Sequence, residues 1–102
     1  MSSYKINGTT VKALEIVNLL AGREFTGLLA GEIAKSVGVS PAGVGHHLVS
    51  LEAAGWVERI KDRELYWRLA PQPVKIALAF QTAMAREASN FAEVQNRYTR
   101  TI

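Results

Sequence analysis

The sequence predicts a mainly α-helical fold with one small β-hairpin, an α+β arrangement. The first observation is a helix between two capping residues: Ser40 can accept from a free amide of the first turn, and Gly55 can take the left-handed conformation that ends a helix. The second is the hydrophobic period, which changes from about 3.6 residues to about 2 after Gly55. The third is the long C-terminal stretch, whose Ala, Gln, Glu and Arg residues favour a helix.

The composition argues against several classes of protein. The 102 residues contain no cysteine, which excludes disulfides and thiolate metal sites and is typical of a reducing compartment. His46 and His47 are adjacent, and helical neighbours point about 100° apart, so they do not predict a metal site. No apolar run approaches the ~20 residues of a membrane span, and the first residues lack the apolar core of a signal peptide. We therefore expect a cytoplasmic protein with no metal, no cofactor and no membrane contact.

The pattern along the chain predicts three regions. Residues 1–8 are polar and predict a flexible N-terminal arm, residues 9–70 carry helices and a hairpin, and residues 71–102 form a C-terminal helix with a short tail. Thr9 or Thr10 can cap a first helix that runs to about Ala21. Four apolar residues are expected on the buried face of this helix: Val11, Leu14, Val17 (or Ile16) and Leu20.

Two further helices and the turn between them predict a helix-turn-helix. Residues 28–29 favour a very short strand, and residues 30–37 favour a helix that lacks a capping side chain at its start. Gly38 ends that helix, and a short turn leads into the capped one. There Pro41 suits the first helical position. The buried stripe of the capped helix is expected to contain Val44, Leu48 and Leu51.

A β-hairpin is predicted directly after the capped helix. Residues 56–60 and 65–69 alternate between apolar and polar side chains, and the charged connector 61–64 suits a hairpin tip. On the second strand we expect Leu65, Trp67 and Leu69 on one face, with Tyr66 and Arg68 on the other. A helix-turn-helix followed at once by a hairpin predicts a winged helix-turn-helix, here followed by a long C-terminal helix.

The C-terminal stretch has the repeat of a coiled-coil helix. Pro71-Gln-Pro73 breaks the preceding strand, and a helix is predicted from Val74 to about Tyr98. Two sets of residues lie seven apart: Ala77, Met84, Phe91 and Tyr98, and the offset set Phe80, Glu87 and Val94, in which Glu87 is the one flaw. We therefore predict a homodimer whose helices meet through Ala77, Phe80, Met84, Phe91 and Val94.

Residues 40–57 resemble the recognition-helix signature of bacterial winged-helix repressors. Ser40-Pro-Ala-Gly-Val-Gly-His-His-Leu48 and Leu51-Glu-Ala-Ala-Gly-Trp-Val57 are similar to ArsR-like regulators, which carry a Val-Ser-His-His-Leu run and then Leu-x-x-Ala-Gly-Leu-Val. Leu29-Ala-Gly-Glu-Ile-Ala-Lys-Ser-Val-Gly-Val-Ser40 is similar to the N-terminal domains of IclR-type regulators. The resemblance covers roughly residues 10–70. It implies a winged-helix transcriptional regulator and leaves the subfamily open.

The sequence departs from these regulators in three ways. It has no cysteine or acidic cluster like the metal sites of ArsR-type sensors, so metal sensing is not implied. No effector-binding domain like that of full-length IclR-type proteins is expected after the hairpin. Gly43 and Gly45 stand where such proteins often carry Ser, Thr, Gln or His.

Base readout needs suitable groups on the first turns of the recognition helix. Ala42 could touch a thymine methyl, and His46 could donate to a guanine or a phosphate. The alternative for His47 is a satisfied, half-buried histidine, and the alternative for each glycine is tight packing rather than close approach to a base edge. The candidates are Ser40, Pro41, Ala42, Gly43, Gly45 and His46, with Ser50 and His47 in reach of backbone oxygens.

Phosphate contacts usually involve cations, and none lies between Lys35 and Arg59. The net charge is +3, and residues 1–55 are balanced with four basic and four acidic groups, so the excess lies later in the chain. A merely solvated hairpin tip is the alternative for Lys61 and Arg63. The predicted phosphate contacts are Lys35, Arg59, Lys61 and Arg63, with Arg68, Lys5 and Lys12 as further candidates.

These features predict a sequence-specific, double-stranded-DNA-binding transcriptional regulator, with repression as the expected sign. It would bind a pseudo-palindromic site as a homodimer, and it would be nucleoid-associated when bound. The alternative is a winged-helix module that binds protein and no DNA, which the uncharged recognition helix favours. No catalytic set can be assembled, so no enzyme activity is expected. Four aromatic residues are expected in core and hairpin packing, with a base-stacking platform as the lesser alternative: Trp56, Trp67, Tyr66 and Phe25.

Overall fold

The structure is a computed structural model that describes residues 3–100. Its elements are α1 (Gly8–Leu20), β1 (Leu28–Leu29), α2 (Ala30–Val37), α3 (Pro41–Ala53), β2 (Val57–Ile60), β3 (Arg63–Leu69) and α4 (Pro71–Thr99). The chain divides into two compact units, one up to Gln72 and one from Pro73 onward. The first unit has the three helices and the sheet of a winged helix-turn-helix, and a long helix forms the second. The predicted fold class is confirmed.

Helix α1 begins earlier than the sequence predicts. Asn7 is its N-cap, and the Oδ1 atom of Asn7 accepts from the amide of Thr10 at 3.2 Å. The predicted caps Thr9 and Thr10 are therefore inside the helix. Of the predicted arm, residues 3–7 lie in no helix or strand, and residues 1–2 lie outside the described residues. After the helix, Gly22 takes the left-handed conformation, with φ of 84°.

The predicted buried face of α1 is wrong at two positions. Ile16, Val17 and Leu20 are buried, but Val11 and Leu14 are 42% and 51% exposed. A spacing of three residues drifts by about 60° per step on a helix of 3.6 residues per turn. Val11 and Leu20 therefore lie on opposite faces. The buried side follows Ile16 and Leu20, which are four residues apart.

Helix α2 lacks a capping side chain at its N-cap, Leu29, as predicted. Glu32 compensates, because its Oε1 atom accepts from the amide of Leu29 at 2.9 Å. A complete capping box also needs a polar side chain at the N-cap. Leu29 has none, so only the hydrogen bond made by Glu32 is formed. Gly38 ends the helix with φ of 71°. The Nζ atom of Lys12 donates to the carbonyl oxygen of Val37 at 2.8 Å, which ties α1 to the end of α2.

The three strands form an antiparallel sheet in the order β1-β3-β2. The short strand β1 is confirmed, and its Leu28 lies opposite Trp67 of β3. The hairpin tip is shorter than predicted, because β3 already begins at Arg63. Only Lys61 and Asp62 connect the two strands, and Asp62 has a φ of 68°.

One hydrophobic core lies within the first unit. The predicted face of β3 is confirmed for Trp67 and Leu69, but Leu65 is 77% exposed because it lies nearer the hairpin tip. Trp56 and Tyr66 are half-buried. The buried cluster contains Ile16, Val17, Leu20, Ile33, Ala34, Val37, Val44, Leu48, Val57, Trp67 and Leu69.

The connector between α1 and β1 differs from the prediction at Phe25, which is 92% exposed rather than packed. The sheet covers Gly27 instead, whose amide donates to the carbonyl oxygen of Arg23 at 2.7 Å. Gly27 has a φ of 68°. A side-chain carbon built there would lie 2.7 Å from the Cδ1 atom of Ile60 and 2.9 Å from the carbonyl oxygen of Trp67. The connector is therefore held by the close approach of the Gly27 backbone to the sheet, and not by packing of the Phe25 ring.

Helix α4 is one continuous helix of 29 residues, and none of them is buried. It begins at Pro71, three residues before the predicted start at Val74. Pro71 and Pro73 are tolerated because the first turn of a helix has no intrahelical partner for its amides. Among the described residues, no helix is both long and apolar enough to cross a membrane.

Candidate nucleic-acid interface

Helix α3 has the ends that its sequence predicts. The Oγ atom of Ser40 accepts from the amide of Gly43 at 3.0 Å, and Pro41 is the first helical residue. At the other end Ala54 is the C-cap, and Gly55 follows it with φ of 80°. The left-handed residue is thus Gly55, one position beyond the cap.

The two sides of α3 differ in chemistry. Val44 and Leu48 are buried and Leu51 is half-buried, so the predicted stripe is confirmed. The opposite, exposed side, called the outward face below, consists of Ala42, Gly45, His46, Val49, Ser50 and Ala53. No charged residue lies between Lys35 and Glu52. The outward face therefore presents small and apolar groups, one imidazole and one hydroxyl.

The two glycines of α3 have different surroundings. A side-chain carbon at Gly43 would lie 3.2 Å from the Oγ atom of Ser40 and 3.7 Å from the Cβ atom of Val39. At Gly45 such a carbon would meet nothing within 4 Å. A side chain at position 43 would thus crowd the capping hydroxyl of Ser40, whereas no neighbour in the fold requires a glycine at position 45. Since glycine costs a helix about 1 kcal/mol relative to alanine, Gly45 favours the interpretation of close approach to a ligand.

The two histidines lie at different places on α3. His46 is exposed on the outward face, and His47 is half-buried beside Leu48. His46 can therefore meet a ligand from solution, while His47 fits the alternative of a half-buried residue on the flank of the helix. Within residues 3–100, no group of three or more His, Cys, Asp or Glu side chains is placed to hold a metal ion.

Two arginines of the hairpin stack on aromatic rings. The guanidinium carbon of Arg59 lies 4.8 Å from the ring centroid of Trp67, and its Nε atom lies 4.0 Å from a carboxylate oxygen of Glu52. The guanidinium carbon of Arg63 lies 4.1 Å from the ring centroid of Tyr66. Stacking limits the directions that a guanidinium can take and leaves its charge in place. Both arginines remain exposed.

Two of the further phosphate candidates are instead engaged within the fold. The Nε atom of Arg68 donates to a carboxylate oxygen of Glu58 at 2.8 Å, and its NH1 atom donates to the carbonyl oxygen of Glu24 at 3.4 Å. Arg68 thus joins the hairpin to the connector before β1. Lys12 lies 3.2 Å from a carboxylate oxygen of Glu15, in addition to its bond with α2.

Among the described residues four lysines make no ion pair: Lys5 in the arm, Lys75 in α4, and the two predicted phosphate contacts Lys35 and Lys61. Lys61 is exposed at the hairpin tip. Lys35 is exposed in the last turn of α2, where it lines an open depression with Leu29, Gly31, Glu32 and Ser36. Together with Arg59 and Arg63, these lysines are the exposed cations of the first unit that best suit an anionic ligand.

The model of the bacterial regulatory protein family arsR matches residues 10–59. Residues 10–59, called the ArsR-type segment below, are therefore similar to the helix-turn-helix of that family. This segment contains most of α1 together with β1, α2, α3 and most of β2. Of the two families that the sequence resembles, the match supports the ArsR-like one. No curated protein sequence matches the chain.

Solved structures share the fold of the ArsR-type segment and its surroundings. An apo double mutant of Lactococcus lactis ZitR is 25% identical, over 91% of this chain and 71% of that one, with a TM-score of 0.55. Wild-type ZitR in complex with DNA is 24% identical, over 96% and 66%, with a TM-score of 0.52. The Zα domain of Carassius auratus PKZ in complex with Z-DNA is 25% identical, over 62% and 98%, with a TM-score of 0.53.

The ArsR-type segment contains every residue that the sequence predicts for base readout, whereas Lys61 and Arg63 lie beyond it. The sequence prediction of the site leaves out Val49, which is exposed on the same outward face. The spacing of the residues already indicates this position. Val49 follows Ala42 by seven residues, which returns it to the same side of the helix after about two turns.

Proposed function

We propose that the chain is a sequence-specific, double-stranded-DNA-binding transcriptional regulator that represses as a homodimer on a pseudo-palindromic site. The observation that carries this is the outward face of α3, which is exposed, uncharged and open at Gly45, in a fold whose hairpin exposes Lys61 and Arg63. The match to a bacterial regulatory family supports it. Two proteins of similar fold, ZitR and the Zα domain, have been solved with DNA.

In this proposal α3 enters the major groove and reads it by shape. Base edges there are reached by side chains and backbone of the first turns of a recognition helix. Ser40, Pro41, Ala42 and Gly43 belong to the first turn and its cap, and amides at a helix N-terminus attract phosphate. Gly45 lets the helix come close to the base edges, while His46 and Ser50 donate hydrogen bonds to bases or backbone.

The phosphates are held by side chains outside α3. Lys35 precedes the recognition helix, and Arg59, Lys61 and Arg63 follow it on the hairpin. Because the two arginines are stacked on aromatic rings, less conformational freedom is lost when they bind a phosphate. The contacts with the DNA backbone supply most of the affinity and make it steeply dependent on salt.

The homodimer forms through α4. Ala77, Met84 and Phe91 lie seven residues apart, and Phe80 and Val94 belong to the offset set. All five are exposed, so the apolar side of α4 needs a partner. A second copy of the helix supplies an identical stripe. Two recognition helices then reach successive major grooves about 34 Å apart. The protein acts in the cytoplasm, without a cofactor or a metal.

A winged-helix module that binds another protein is the second candidate function. The exposed apolar residues of α4 favour it, since they would serve a foreign helix as well as a second copy. A module of this kind needs no contact with nucleic acid.

A titration of mixed genomic DNA fragments at about 50 and 200 mM salt separates the two candidates. For the regulator we expect affinity to fall by roughly a thousandfold between these concentrations, as for proteins with several phosphate contacts. Absence of salt-dependent binding at micromolar protein would favour the protein-binding module. Selection from a random duplex pool would then report sequence preference, and two half-sites one helical turn apart would report the dimer.

A further inference from the structure

Val49 stands out on the outward face of α3. It points about 140° away from the buried Val44 around the helix, and it is 58% exposed. Valine is a weaker helix former than alanine, so an exposed valine in a helix contributes little to its stability. Ala42 and Ala53, which share its side of the helix, are smaller. The two γ-methyl groups of Val49 are therefore the most prominent apolar groups of this face.

The neighbours of Val49 leave these methyl groups uncovered. Side chains on a helix lean toward its N-terminus, so Val49 extends over the turn that contains Gly45 and His46. Gly45 has no side chain, and a side-chain carbon built there would meet no atom of another part of the fold within 4 Å. A group that approaches α3 from outside can thus reach the methyl groups of Val49 directly.

The chemistry of the major groove offers one apolar group to meet them. Among the base edges exposed there, only thymine carries a methyl group, on C5, and the other bases are distinguished by their hydrogen-bond donors and acceptors. Charged or amide side chains, which read guanine and adenine with paired hydrogen bonds, are absent from the outward face. The outward face is apolar and can come close to the base edges, so it is suited to contact with thymine.

We propose that Val49 is a specificity-determining residue that contacts the methyl group of a thymine in each half-site, with Ala42 in contact with a second one. This rests on the proposed DNA-binding function. Ala42 and Val49 are seven residues apart, or about 10.5 Å along the helix at 1.5 Å per residue. Along the DNA axis that distance corresponds to at most about three base-pair steps of 3.4 Å, because a helix in the groove is inclined to this axis. The two recognised thymines therefore lie within about three base pairs of each other, on either strand.

The test uses the full chain and the duplex that it enriches from a random 20-base-pair pool. Each thymine of that duplex is replaced in turn by deoxyuridine, which removes only the C5 methyl group. For the unaltered protein, loss of one methyl in each half-site lowers affinity about fourfold per half-site, the equivalent of one buried methylene group. Val49→Ala loses the sensitivity at the thymine that Val49 contacts, where it binds the thymine and uracil duplexes equally, and keeps it at the thymine that Ala42 contacts. Val49→Thr keeps one γ-methyl and retains an intermediate sensitivity.

Val11→Ala is the matched control, since Val11 is also an exposed helical valine, on α1. It keeps the full sensitivity to deoxyuridine. The proposal is overturned if the unaltered protein is indifferent to every replacement, or if Val49→Ala keeps the sensitivity at every thymine to which the unaltered protein responds. In either case sequence enrichment would still stand as evidence for the regulator. Failure to enrich any sequence would overturn the proposed function, and the role of Val49 with it; a protein partner for this face would then be sought.

Discussion

The backbone at Gly27 lies against Ile60 so closely that no side chain fits between them. A carbon built on Gly27 would lie 2.7 Å from the Cδ1 atom of Ile60, and 2.9 Å from the carbonyl oxygen of Trp67. The side chain of Ile60 can rotate, but the backbone of β3 is held by strands on both of its sides. This close approach fixes where the connector from α1 enters the sheet.

We expect Gly27→Ala to be the most damaging glycine substitution in the first unit. The positive φ alone costs about 1–2 kcal/mol for a residue with a side chain, and the overlap with the backbone of Trp67 adds about 1–3 kcal/mol. Gly22→Ala is the control, because Gly22 also has a positive φ but empty space around it. Urea denaturation measures the free energy of unfolding of both. Equal losses would mean that the overlap relaxes without cost.

Gly45→Ala should separate stability from binding. An alanine meets no atom within 4 Å there, so the helix gains about 0.5–1 kcal/mol of stability. If α3 approaches the floor of the groove, the added methyl group also weakens DNA binding. Thermal unfolding and fluorescence anisotropy measure the two effects on the same sample.

Gly31→Ala is the matched control for Gly45→Ala. Gly31 also lies in a helix, α2, with nothing within 4 Å of its added carbon. It should leave DNA binding unchanged. Unaltered binding by Gly45→Ala would instead show that position 45 does not come close to the DNA.

The hairpin cations should set the salt dependence of binding. Removing Lys61 and Arg63 together should weaken binding to all sequences and reduce the slope of log affinity against log salt by about 0.9 for each phosphate that is no longer neutralised. Arg86→Ala with Arg100→Ala removes the same charge from the second unit and is the control. A slope that falls equally in both double variants would indicate a general effect of net charge. No change in either would leave the hairpin tip as a solvated surface.

How much the sequence predicts depends on how local the interaction is. The caps of α3 are predicted correctly because Ser40 accepts from an amide only three residues away and Gly55 acts through its own backbone conformation. The partners of Arg68 and Lys12 were missed because Glu24 is 44 residues from the first, and Val37 is 25 residues from the second. No spacing rule connects such pairs before the register of the sheet and the packing of the helices are known.

The face of α1 could have been predicted better from the same residues. A repeat of three residues drifts around a helix, and alternating steps of three and four keep to one side. Ile16 and Leu20 satisfy that rule, whereas Val11 and Leu14 do not share a face with Leu20. On the outward face of α3, the sequence prediction leaves out Val49 because most base edges are read by hydrogen-bonding groups, and the side chain of Val49 has none.

The dimer through α4 is tested at the centre of its apolar stripe. Met84→Lys or Phe91→Lys places a charge in the seam between two helices, where it must be desolvated without a partner. We expect either variant to sediment as a monomer at concentrations where the unaltered chain is a dimer. Ser89→Lys adds the same charge five residues after Met84, outside both sets of the seven-residue repeat, and should remain a dimer.

Glu87 offers the converse test, because it is the one polar member of the offset set. Glu87→Leu removes two carboxylates from the seam and buries two leucines, each of which contributes about 1.5–3 kcal/mol when fully buried. The dimer should therefore tighten by at least about tenfold, since 1.4 kcal/mol corresponds to a factor of ten. If Glu87→Leu tightens the dimer and Met84→Lys weakens it, the two helices meet along this stripe. A dimer formed through another surface would respond to neither substitution. An unaltered chain that sediments as a monomer would refute the homodimer directly.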